Sequence, residues 1–163
     1  MYQRRIYQLL IALIVSAVVF SLYSPVAQAQ EEPSISLSAP TGISAWNLSP
    51  EVSQPNVQTG SLHVTVSGNF SGNWTVTASD TDTDTGGYLT RYNGSYVVTT
   101  KMGTPLVVQG PAGTATLPAG GNVVTGTGEV DQDFPISFRQ NVAWTDLAGD
   151  YRIVVTFTGA LQP

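Results

Sequence analysis

Beyond residue 30 the apolar side chains recur at every second position, and no stretch repeats them with the period of a helix. "SLHVTVS" sets Leu62, Val64 and Val66 on one face and His63 and Thr65 on the other. "NWTVTAS" does the same with Trp74, Val76 and Ala78. Alternation of this kind marks strands with one buried face. "YLTRYNGSYVVTTK" predicts two strands joined at Asn93-Gly94, because both residues accept the positive φ of a tight hairpin. "PLVVQGP", "ATLP" and "GNVVTGT" are short strand pieces cut by Gly and Pro, and "SISLS" and "GISAWNLS" are pieces upstream. At the far end "DFPISFRQNVAW" and "DYRIVVTFTG" predict a longer pair across the turn "TDLAG". "VVT" recurs at Val97, Val123 and Val154, but its uneven spacing is strand vocabulary and not a repeat.

About eight short strands, with turn signals roughly every 8–12 residues, predict an all-β protein with a Greek-key (Ig-like) β-sandwich. In "DLAGDY" an aspartate, small residues and a tyrosine open a strand, as in the tyrosine corner of such sandwiches. Trp46, Trp74 and Trp144 are of a size to fill the gap of about 10 Å between packed sheets, so all three are expected in the core.

The first thirty residues stand outside this pattern. Arg4 and Arg5 precede an apolar run from Ile6 to Tyr23, and Ala27-Gln28-Ala29 follows as a small-x-small cleavage site. Residues 1–29 are therefore expected to be a signal peptide, and 30–163 a β-sandwich domain. The run is also just long enough to serve as an uncleaved N-terminal anchor. Export fits the composition, which has no cysteine and is rich in Thr, Ser, Gly and Val. Without the leader's two arginines, four Lys+Arg face eleven Asp+Glu, a net charge of −7. So acidic a surface argues against nucleic acid and anionic lipid, which both need cations to neutralise phosphate.

Candidate chemistry is sparse. "SDTDTDTGGYL" places Asp80, Asp82 and Asp84 at alternate positions, as in a calcium loop. The glycine comes one residue late, however, and Arg91 stands where an EF-hand needs glutamate. The stretch is therefore expected to be a solvated loop, with "EVDQD" (Glu129, Asp131, Asp133) as further acids if a different calcium site is formed. His63 is the single histidine and falls on the polar face of its strand. No nucleophile elbow or phosphate-binding glycine loop is present, so no catalytic residue, metal or cofactor is expected. Asn47, Asn69, Asn73 and Asn93 open N-x-[ST] sequons, a modest excess over what so Ser/Thr-rich a chain makes by accident. Asn69, Asn73 and Asn93 fall in or beside predicted turns and are the glycosylation candidates. Tyr88, Tyr92 and Tyr96 surround the hairpin turn, where they suit either stacking on sugar or packing across the strands.

The span "ISFRQNVAWTDLAGDYRIVVTFTG", Ile136 to Gly159, resembles the closing hairpin of secreted prokaryotic cell-surface β-sandwich proteins, archaeal or of the WxL type. "WNL" at Trp46–Leu48 matches a W-x-L motif, whereas "WTV" and "FTG" depart from it. The resemblance implies an address at the cell surface. The expected function is that of a secreted, non-catalytic cell-envelope protein with a structural or adhesive role, able to self-assemble by lending "SISLS" as a strand. A glycan- or wall-polymer-binding module is the alternative. Expected partners are envelope components or other copies of the chain, with a membrane engaged only through an uncleaved leader.

Overall fold

In a computed structural model the described residues, 31–42, 45–50 and 55–162, form eleven strands. The expected signal segment and its cleavage site lie outside the described residues. In chain order the strands are β1 (Ser34–Leu37), β2 (Asn56–Ser67), β3 (Asn73–Ser79), β4 (Thr90–Tyr92) and β5 (Tyr96–Lys101). β6 (Val107–Gly110), β7 (Gly113–Thr116), β8 (Gly121–Thr127), β9 (Val130–Gln140), β10 (Tyr151–Arg152) and β11 (Thr156–Gln162) follow. The described residues contain no helix, and so none long and apolar enough to cross a membrane.

The fold is all-β and sandwich-like. One sheet runs β1-β2-β9-β6-β7 and the second β11-β3-β8. Leu62, Val64, Val66, Val108, Ile136 and Phe138 of the first sheet pack in one core with Trp74, Val76, Ala78 and Val124 of the second. Each fully buried side chain of this kind stabilises the fold by about 1.5–3 kcal/mol. The sheets curl together at both sides. Ile35 of β1 packs on Gly159 of β11, and Ala112 beside β7 donates its N–H to the Val123 carbonyl at 3.0 Å.

Trp74 is the anchor of this core. Its Nε1–H donates to the Gly128 carbonyl at 3.1 Å, and its ring meets Phe134 edge-on at 5.7 Å. The ring lies directly on Gly126, where a Cβ would overlap it. In β8 the register with β3 shifts between Val76 and Thr77, and Val123 and Val124 are both buried. A bulge of this kind explains why "GNVVTGT" carries two adjacent apolar residues in an otherwise alternating strand.

Three expectations need correction. β9 does not form a hairpin with the last strand: it pairs with β2 and β6, while Tyr151–Arg152 pairs with β4 and Thr156–Gln162 with β3. The chain crosses to the opposite sheet after β9 because Phe157 and Leu161 pack against the core from that side. Ala45–Ser49 of "GISAWNLS" is not a strand, and Ile43 and Ser44 lie outside the described residues. Trp144 is not in the core but 78% exposed. The expected hairpin at Asn93-Gly94 does form, with Tyr92 opposite Tyr96, in a third small sheet β10-β4-β5.

Candidate functional site

β9 ends on Gln140, fully buried, whose Nε2 donates to the Thr104 carbonyl and hydroxyl (3.0 Å each) and to the Asn141 carbonyl (2.8 Å). This amide fixes where the following loop leaves the sheet. Asp146 then clamps the loop. Its Oδ2 accepts the Ala143 N–H (2.8 Å), its Oδ1 accepts the Gly103 N–H (3.0 Å), and its own N–H donates to the Ala143 carbonyl (3.0 Å). A carboxylate accepting two backbone N–H groups makes charge-assisted bonds, so the turn is held firmly. Trp144 sits within it and is carried outward.

The second half of the loop is held by the corner that "DLAGDY" suggests. The Tyr151 hydroxyl donates to the Leu147 carbonyl at 2.7 Å. Leu147 is 59% exposed beside Trp144. Across from them runs the 45–50 segment, and the space between is an open cleft of about 690 Å³. Trp46, Asn47, Trp144, Leu147, Asp150 and Arg152 are among its walls. A smaller apolar crevice of about 330 Å³ lies on the other side of Trp46, toward Leu106, Phe138 and Phe157.

The aspartate loop is built differently from its sequence-based expectation. Asp80 is not solvated but 4% exposed. Its Oδ1 accepts the Asp82 N–H (2.9 Å), and its Oδ2 accepts the Thr85 hydroxyl and the Gly87 N–H (2.7 Å each). Asp82 Oδ1 in turn accepts the Asp84 N–H (2.8 Å). Alternate aspartates thus form successive Asx turns, each carboxylate bonding the backbone two residues on. "EVDQD" does not join them. Glu129 accepts the Asn69 N–H, and Asp131 and Asp133 face His63. Among the described residues, no group of three or more His, Cys, Asp or Glu is arranged to hold a metal ion.

His63 lies on the outer face of the β2–β9 pair, with Nδ1 2.9 Å from Asp133 and Nε2 2.9 Å from Asp131. Both nitrogens can donate only in the imidazolium. The hydrogen bonds to Asp133 and then Asp131 raise the histidine's pKa above 6.5. The Thr65 hydroxyl and then His63 hold Asp131 below 3.8.

The glycosylation candidates Asn69, Asn73 and Asn93 are all exposed, and Asn69 has a positive φ of 55°. Tyr92 and Tyr96 pack on each other, centroids 5.5 Å apart, and Arg152 covers Tyr92 at 3.7 Å. That is cross-strand packing. Among the described residues the exposed aromatic is Trp144, whose alternation with its neighbours is that of any strand residue; "NVAWTDLAGD", polar and turn-forming, is the signal that it sits on a loop. Comparison with protein families, with curated proteins and with solved structures finds no match.

Proposed function

We propose that the protein is a secreted, non-catalytic domain of the cell envelope that acts by adhesion, holding an extracellular polymer in the cleft beside Trp144. One observation carries this reading. A tryptophan held 78% exposed, on a turn fixed by three hydrogen bonds to Asp146, gains nothing for the fold and keeps a large apolar face ready. Ordering the backbone that carries such a side chain lowers the entropy lost on binding. Beyond residue 29 the chain carries eleven Asp and Glu against four Lys and Arg, a balance that disfavours an anionic ligand.

The test is co-sedimentation of the purified protein with isolated envelopes of the producing cell. Wild type should pellet with them, and Trp144→Ala, which removes the exposed aromatic face, should weaken retention at least about tenfold. A wild-type protein that stays in the supernatant defeats the reading.

Self-assembly is supported by a separate observation. β1 is a four-residue edge strand whose Ile35 and Leu37 are only half-buried on the core. It completes the sheet of its own chain through β2. A strand so short, at the margin of a sheet, is also one that neighbouring copies can exchange. Concentration-dependent oligomers in sedimentation velocity would favour this structural role.

A further inference from the structure

We infer that the ligand of the Trp144 cleft is a neutral saccharide chain, one pyranose ring of which lies flat on the Trp144 indole. This rests on the adhesive reading above and names its ligand class. The cleft pairs one exposed aromatic plane with a polar surround. Asn47 and Asp150, both exposed, and Arg152 line it together with Trp144, while Ala143, Ala148 and Gly149 add little bulk. A sugar ring has the matching form, with an apolar C–H face and a rim of hydroxyls. The hydroxyls can donate to the Asp150 carboxylate and accept from the Asn47 amide.

The other ligand classes fit less well. A peptide or protein anchor favours a desolvated apolar pocket ringed by contacts that exclude water. Trp144 stands at an open wall. Anionic lipid or an anionic wall polymer would meet Asp150 and a surface carrying an excess of acids over Lys and Arg. Arg152, the cation of the cleft, has its guanidinium over the Tyr92 ring at 3.7 Å. A neutral polymer avoids both problems. The clamp by Asp146 and the Tyr151–Leu147 bond hold the backbone that carries the indole in place before any ligand arrives.

The experiment treats isolated envelopes with periodate, which cleaves vicinal diols, or with protease, and measures retention of the full protein. Microcrystalline cellulose, chitin and phosphatidylcholine vesicles serve as defined probes. Periodate is expected to lower retention at least tenfold where the polymer's rings carry vicinal diols; where they do not, binding to chitin, whose N-acetylated rings lack them, is expected instead, and protease should leave retention unchanged. Trp144→Phe, which keeps a ring, should retain more of the binding than Trp144→Ala, and Val98→Ser, at an exposed site on β5 away from the cleft, should bind as wild type. Because Trp144 is exposed, Trp144→Ala should keep the wild-type melting temperature, so its loss reports on binding and not on folding. Retention lost to protease and indifferent to periodate would overturn the saccharide while leaving adhesion intact. Binding to the vesicles, weakened equally by Trp144→Ala and Leu147→Ser, would overturn it in favour of a membrane. A wild-type protein that binds no envelope at all would defeat the underlying reading as well.

Discussion

Asp80 and Asp84 belong to one alternating run, yet their positions in the structure give them opposite weights. Asp80 is buried and accepts three hydrogen bonds, whereas Asp84 is exposed. Asp80→Ala strands a buried N–H and a hydroxyl, so it should cost about 3 kcal/mol in chemical denaturation, while Asp84→Ala should cost less than about 0.5 kcal/mol. Equal and small effects would restore the solvated-loop expectation. His63 offers a pH test at the same scale. Its pKa is raised by folding, so its contribution to stability is complete below about 6.5 and disappears as pH rises through the higher folded value. Asp131 is lowered, so its contribution is present above about 3.8 and disappears as pH falls through the folded value. The chain has one histidine, so a fall in melting temperature as pH rises above about 6.5 should vanish in His63→Gln. Its persistence in the variant would mean that the two carboxylates do not hold the ring.

At the scale of elements, β1 links the two sheets. Its register sets Ile35 opposite Val66 and Leu37 opposite Val64, and its inner face lies against β11. Ile35→Ser with Leu37→Ser should lower stability by about 2–3 kcal/mol through lost apolar burial, without altering the other strand pairings. If β1 is also exchanged between copies, the same pair should shift oligomers toward monomer in sedimentation velocity. An unchanged melting temperature would make β1 a dispensable linker. The loop after β9 shows the other side of element design. Ten residues, 141–150, carry the chain between sheets, and Gln140, Asp146 and Tyr151 together fix its path. That path, and not the strands, puts Trp144 at the cleft.

For the whole molecule, period-two alternation was enough to read the all-β class, most strand positions and the hairpin at Asn93-Gly94, because each is set by neighbours within a few residues. The buried faces of β2 and β3 follow directly from "LHVTV" and "WTVTA". The tyrosine corner was legible for the same reason, since Tyr151 reaches only as far back as Leu147. Partner choice was not legible. "ISFRQ" and "RIVVTF" carry patterns that suit pairing with each other, and only the competing fit of Phe157 and Leu161 on the core sends them to different sheets. Nor does a tryptophan's letter tell its fate. Trp74 is buried because Gly126, from a strand far along the chain, leaves space for its ring, and Trp144 is exposed because Asp146 closes a turn beneath it with help from Gly103. His63 met Asp131 and Asp133, and Asp80 met the Thr85 hydroxyl, on the same terms. Local alternation fixes which face a side chain takes; what that face meets is decided by packing between residues distant in sequence, where shape and hydrogen-bond satisfaction select one arrangement among many with the same pattern.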